Sequence, residues 1–269
     1  MKTRVATAFV AAVPVLAAVA YAGRWPLLLI AAAASLVATY ELSALARIAD
    51  RRVSFFALLV GAVLAASVVY PNTRFPLAAA LCAGVTVLGV LAAARLRSHG
   101  GSILVFEAAT LWIVGPLVAL ASLHAARATE AVWQPANVVL LALVPIWVGD
   151  SAAMLVGKAW GKRLLAPALS PKKTVEGALA NLVGCVAAAL LLGPWLEVAW
   201  PFALGAGLAC GVLGQAGDLF QSSLKRAADL KDSGSILPGH GGLLDRIDSL
   251  LFAAPAVAAI LAVPGALHP

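Results

Sequence analysis

Residues 201–226 read PFALGAGLACGVLGQAGDLFQSSLKR: a run of apolar and small residues, then Asp218, Ser222, Lys225 and Arg226. A transmembrane helix needs about 20 mainly apolar residues, so this stretch reads as a span that leaves the bilayer through a polar stripe. If the helix continues through its end, Asp218, Ser222 and Lys225 stand at i, i+4 and i+7 on one face. A carboxylate at that depth is expensive and marks a functional site by default. The bland alternative is that Asp218 only pairs with Lys225 or Arg226. Gly207-x-x-x-Gly211 in the same span permits close helix packing, expected within the chain rather than at a dimer seam.

Outward from this span the same pattern recurs at 5–22, 26–46, 53–70, 75–94, 103–125, 133–156, 176–196 and 247–266, separated by short charged or Pro/Gly-bearing breaks. Of the 269 residues, 62% are hydrophobic and 12% charged. A soluble domain is about 45–50% apolar and about 25% charged, so a water-soluble globule is excluded. The expected architecture is all-α: a polytopic integral membrane protein with about nine transmembrane helices and a cytoplasmic N-terminus. Lys2 and Arg4 before an apolar stretch ending in Ala20-Tyr21-Ala22 also fit a secretory signal,. With eight more helices behind it, retention as a first span is the expectation. Cys82, Cys185 and Cys210 lie inside apolar runs, without paired or metal-type spacing, and are read as core residues.

Orientation follows from the excess of Lys and Arg in cytoplasmic loops. With the N-terminus inside, the outer segments hold only Arg24, Arg74 and Arg127, and the other sixteen of the nineteen basic residues fall inside. Residues 1–130 then read as transmembrane scaffold helices joined by short loops. Residues 131–269 read as the catalytic transmembrane region, with two long cytoplasmic loops at 157–175 and 221–246. This second half holds all but one of the seven lysines and eight of the twelve acidic residues. Inverted transporter-type repeats would put matching interrupted helices in both halves, and this asymmetry argues against them.

The loop after Arg226 runs through Lys231-Asp232 to Pro238-Gly239-His240-Gly241-Gly242-Leu243-Leu244-Asp245-Arg246-Ile247-Asp248. Glycines around a proline and a histidine describe backbone that can approach a ligand closely and turn its N–H groups toward an anion. Asp245 and Asp248, at i and i+3, could simply favour the dipole of the starting helix. A helix N-terminus is also a phosphate site, and carboxylates beside phosphates suggest Mg²⁺. His240, without His-rich spacing, is read as a phosphate binder or carboxylate-orienting residue rather than a zinc ligand. The other loop carries Asp150-Ser151 ahead of it, then Lys158, Lys162, Arg163 and Ser170-Pro171-Lys172-Lys173-Thr174-Val175-Glu176-Gly177. The first three basic residues suit anionic lipid as well as substrate. Lys172 and Lys173 are read as phosphate binders, outside any Walker-type register.

The string from Ser222-Ser223-Leu224-Lys225-Arg226 through Lys231-Asp232 to Asp248 resembles the signature of the phosphatidate cytidylyltransferase family, also called CDP-diglyceride synthases. Gly217-Asp218, Asp150-Ser151 and the Ser170–Gly177 run are similar to further motifs of that family, so the resemblance covers about residues 145–252. Val175 departs from it, standing where an aromatic such as Trp is expected. The resemblance implies transfer of CMP from CTP to phosphatidic acid, giving CDP-diacylglycerol and pyrophosphate in phospholipid biosynthesis, with Mg²⁺ and room for a second cation. It further implies a bacterial-type inner membrane location with the active site facing the cytoplasm. CTP, phosphatidic acid and the bilayer are the partners, with no nucleic acid, and a homodimer is suggested.

By the same resemblance Asp218 and Asp245 are the leading metal ligands, with Asp248 and Asp150 in support. Lys225, counted with these as catalytic, Arg226 and Arg246 would hold phosphate oxygens. Lys172 and Lys173 would hold the triphosphate or the lipid headgroup. Gly239, Gly241 and Gly242 would let backbone close on the nucleotide, and Ser222, Lys231, Asp232 and His240 complete the substrate-binding set. A CTP-dependent enzyme acting on another lipid phosphate, a lipid kinase, or a transporter of an anionic lipid or nucleotide are the alternatives.

Overall fold

The computed structural model describes residues 16–17, 19, 24–45, 110–120, 137–236 and 241–267. The expected spans 53–70 and 75–94, most of 5–22 and 103–125, and the site candidates Gly239 and His240 lie outside the described residues. The chain divides into two compact units, Met1–Trp133 with Asp232–Asp245, and Gln134–Lys231 with Arg246–Pro269. In the first unit α1 (Arg24–Leu45) packs against a π-helical turn, Thr110–Val114. Ala38, Ile113 and Val114 are buried there.

The second unit holds α2 (Leu140–Trp160), β1 (Leu164–Ala166), β2 (Ser170–Thr174), α3 (Val175–Leu192), α4 (Trp200–Ala227) and most of α5 (Leu244–Leu261). Among the described residues, α2, α3 and α4 are long and apolar enough to cross a membrane. They match the expected spans 133–156, 176–196 and 201–220, and α1 and α5 match 26–46 and 247–266. At about 1.5 Å per residue, the 28 residues of α4 run about 42 Å, well beyond a hydrocarbon core of about 30 Å. The helix therefore carries its polar C-terminal turns past the apolar layer, and Asp218, Ser222 and Lys225 stand on one continuous helix as expected. Pro201 sits in its first turn, where a missing N–H costs nothing.

One loop departs from an all-α reading. Residues 164–174 form an antiparallel hairpin, with Leu164 opposite Thr174 and Ala166 opposite Ser170. Its base is closed by the start of the next helix. Glu176 Oε2 accepts from Lys162 N at 3.1 Å and Arg163 N at 3.3 Å, and Val175 N donates to Arg163 O at 2.9 Å. Thr174, extended at φ −118°, is the N-cap of α3: its Oγ1 accepts from Gly177 N at 3.1 Å, which satisfies one of the four donors a helix start leaves open.

In this unit α3 packs most closely on α2, then on α4. The Gly207-x-x-x-Gly211 seam works inside the chain. A Cβ at Gly207 would lie 2.7 Å from Val186 Cα, and one at Gly211 would lie 2.9 Å from Leu182 Cα, so α3 and α4 meet backbone to backbone. Arg226 Nε reaches Leu169 O at 3.4 Å, which puts the end of α4 beside the hairpin. Trp160 is exposed at that end, and Trp195 and Trp200 are exposed at the other. Aromatic residues at both ends of a helix bundle mark the two membrane interfaces.

Candidate active site

A cavity of about 480 Å³ opens in the second unit, lined by Asp150, Lys172, Lys173, Asn181, Gln215 and Asp218 among others. That volume is within the range of small-molecule sites, about 300–1,000 Å³. These six polar wall residues come from four elements. Asp150 is on α2, ten residues before Trp160, and so about 15 Å along the helix from that interface aromatic. Lys172 and Lys173 come from β2, Asn181 from α3, and Gln215 and Asp218 from α4.

Lys173 Nζ forms an ion pair with Asp218 Oδ2. Both side chains remain partly open, 28% and 34% exposed, so the pair can exchange partners with a ligand, unlike one sealed in a core. Asp218 also lies within electrostatic range of Asp150 and of Asp248. Asp248 is buried on α5, and its approach depends on Gly217. A Cβ at Gly217 would stand 2.5 Å from Asp248 O, so only glycine lets α5 come this close to the turn that carries Asp218. Asp248 Oδ1 accepts from Ser249 N at 2.7 Å. Ser222 Oγ, one turn along α4, lies 3.5 Å from Asp218 Oδ1.

Asn181 and Gln215 were not singled out from sequence. Asn181 Nδ2 donates to Asp150 Oδ1 at 3.0 Å, and its own Oδ1 accepts from Cys185 Sγ at 3.6 Å. Gln215 Nε2 donates to Ala178 O at 3.1 Å and Gly211 O at 2.6 Å. The available signal was a lone amide in each of two apolar spans. Such groups need partners where water is absent.

The remaining basic candidates of this unit, Lys225, Arg226, Lys231 and Arg246, are not among the residues that line the cavity. Lys225 acts on Asp248 electrostatically, and Arg246, exposed on α5, acts on Asp150. Arg226 spends its guanidinium on Leu169 O and on Leu230 O, both at 3.4 Å. Lys231 is exposed at the unit's edge.

Asp232, Gly241, Gly242 and Asp245 belong to the first unit. Asp245 Oδ2 accepts from Ser233 N at 2.8 Å and from Gly242 N at 3.1 Å. Gly241 has φ +80°, a left-handed conformation that glycine adopts without strain; a Cβ there would meet Asp245 Oδ2 at 2.9 Å. A second carboxylate that the sequence reading passed over enters here. Glu41, on α1 and only 2% exposed, accepts from Leu243 N at 2.9 Å, Leu244 N at 2.8 Å and Ser233 Oγ at 3.0 Å. The anion at the start of α5 is thus one of the protein's own side chains.

Known proteins supply an independent measure of this chain. It is 47% identical over 127 residues to a phosphatidate cytidylyltransferase of Bacillus subtilis, a match covering 46% of this chain and 47% of that protein. It is 45% identical over 124 residues to the phosphatidate cytidylyltransferase of Synechocystis, covering 45% and 41%. For that of Staphylococcus aureus the identity is 42% over 120 residues, covering 44% and 46%. The chain therefore spans less than half the length of the curated relatives it matches. A family model described as "Cytidylyltransferase family" matches residues 2–263. With that match running across both units, the carboxylates and lysines of the cavity are those of a member of the cytidylyltransferase family, to which this chain belongs.

Proposed function

We propose that this protein transfers CMP from CTP to phosphatidic acid, giving CDP-diacylglycerol and pyrophosphate. A phosphatidate oxygen forms a bond to the α-phosphorus of CTP; the bond from that phosphorus to the bridging oxygen breaks, and pyrophosphate leaves with the electron pair. The observation that carries this reading is the cavity of the second unit, where an exchangeable Lys173–Asp218 pair and Asp150 sit between helices of membrane-spanning length. A lipid phosphate and a water-soluble polyanion can both reach such a place. The family and the names of its relatives support the same chemistry.

Phosphatidate arrives ionised at neutral pH, so the chain has no need of a dedicated base. Its task is positioning and charge neutralisation. Lys173, held on Asp218, has a phosphate oxygen as its alternative partner. Lys172, Lys225 and Arg246 add positive charge for the triphosphate and headgroup. Asn181 holds Asp150 by a hydrogen bond to one oxygen, as ligand carboxylates are commonly held.

Among the described residues no three His, Cys, Asp or Glu side chains gather as a self-sufficient metal cage. The oxygen-rich wall fits Mg²⁺, which is bound through one or two carboxylates together with substrate phosphates. Asp218 would hold it, with Asp150 and Asp248 nearby. When bound, the ion supplies Lewis-acid neutralisation of the phosphate oxygens.

The test is release of pyrophosphate from CTP by the purified protein in phosphatidate-containing micelles. Release that requires both phosphatidate and Mg²⁺ is expected. Equal release with another lipid phosphate would reassign the substrate, and transfer from ATP would make the protein a kinase. Ligand movement without pyrophosphate would make it a transporter. We place the site on the cytoplasmic side of a bacterial-type inner membrane. Single cysteines in the 157–175 loop should be labelled in inside-out vesicles and not in intact cells; the reverse pattern inverts the topology.

A further inference from the structure

Two glycines of the loop after α4 make room for a side chain. A Cβ at Gly234 would stand 2.6 Å from Glu41 Oε1, and one at Gly242 would stand 2.5 Å from Glu41 Oε2. Leu243 N and Leu244 N belong to the four donors that the start of α5 leaves open, and an anion at that position is favoured by the helix dipole. Glu41 supplies that anion. Its two oxygens divide the work: Oε1 accepts from Leu243 N, and Oε2 accepts from Leu244 N and Ser233 Oγ. Both ends of the loop between Ser233 and Leu243 are therefore tied to one carboxylate, and Asp245 ties Ser233 N to Gly242 N in parallel.

We propose that Glu41 is a positioning residue for the nucleotide: from α1, its carboxylate fixes the backbone at the two ends of the loop that begins at Asp232 and returns through Gly241 and Gly242. The nucleotide part of this statement rests on the proposed cytidylyl transfer; the anchoring part does not. Charge and both oxygens are needed. Glutamine has nearly the same volume but one acceptor oxygen, so Glu41→Gln turns an amide NH₂ toward at least one backbone N–H that now has an acceptor. Glu41→Asp keeps both oxygens on a stem one methylene shorter.

The experiment compares wild type, Glu41→Gln, Glu41→Asp and Ser233→Ala in detergent, reading hydrogen exchange at the Leu243 and Leu244 amides and pyrophosphate release as CTP and phosphatidate are each varied. In Glu41→Gln the two amides should exchange at least about tenfold faster, and KM for CTP should rise about tenfold, since buried donors lose their acceptor. KM for phosphatidate should stay within about twofold, because the loop is assigned to the nucleotide. Glu41→Asp should recover part of both effects. Ser233→Ala removes one of three donors and should give a smaller change in the same direction, which keeps the test open if Glu41→Gln does not fold. Unchanged exchange at these amides overturns the anchoring. Faster exchange with an unmoved KM for CTP, or equal losses toward both substrates, overturns the positioning role. A wild type that turns over no CTP refutes the proposed function instead, and the exchange data still decide whether Glu41 holds the loop.

Discussion

Glu41 and Asp218 are both carboxylates set in apolar helices, one in each unit, and they are satisfied in opposite ways. Glu41 is 2% exposed and accepts from two backbone amides and a serine hydroxyl. The two amides cannot leave without unwinding a helix start. Asp218 is 34% exposed and pairs with Lys173, a long side chain on a short hairpin facing a cavity. Its partner can turn to another anion at small cost. The difference teaches how to separate structure from chemistry among intramembrane acids: the number of fixed neutral donors marks an organising carboxylate, and a mobile cation at a cavity wall marks a reactive one.

The comparison is broken most directly at Asp218. Asp218→Asn keeps size and removes the charge, and pyrophosphate release should fall by more than about 100-fold, beyond the 10–100-fold typical of groups that only support a metal ligand, while the protein stays in the membrane. Near wild-type turnover would make Asp218 a structural acid like Glu41. Lys173→Met should cost about 10–100-fold in turnover, the scale of a hydrogen bond to a charged group. Its thermal unfolding in detergent should move by less than about 1 kcal/mol, since a pair this exposed contributes little to stability. Glu41→Ala should invert that balance, lowering stability by a few kcal/mol because about 1–3 kcal/mol accompanies each buried donor left unmade. Gly217→Ala places a Cβ against Asp248 O and should destabilise by about 1–3 kcal/mol, read as a drop in unfolding temperature. The smallest effect is expected for Asn181→Ala, where one lost hydrogen bond to Asp150, worth about 1 kcal/mol, predicts about a fivefold fall in turnover.

The helices were legible because apolar length can be read directly from the sequence, and five of the expected spans have described helices whose ends lie within about seven residues of the expected ones. Asp218 was legible as a charge where charge is expensive, Asp150 as an acid late in an apolar span and Lys173 as a phosphate binder in the following loop, and the structure brings them to one cavity. The hairpin was not legible. Leu164-Leu165-Ala166 is too short for alternation to register, and what closes its base is Glu176 reaching back to amides 13 and 14 residues earlier. Glu41 was hidden for a related reason. One acid in Tyr40-Glu41-Leu42 has no local partner to announce a role, and its donors lie 192, 202 and 203 residues away. The glycines of the second loop were read as room for an anion, which is what they provide, although the anion at Gly234 and Gly242 is Glu41.

That sequence separation sets a clock on biosynthesis. Ribosomes add about 5–20 residues per second, so α1 is complete for about 10–40 s before Ser233 emerges, and longer before Leu243 and Leu244 follow. During that interval Glu41 is an acid without its destined donors. A chain cut short before residue 233 never leaves that condition. The contacts that steady the finished protein are thus ones that only a chain extending past Leu244 can make.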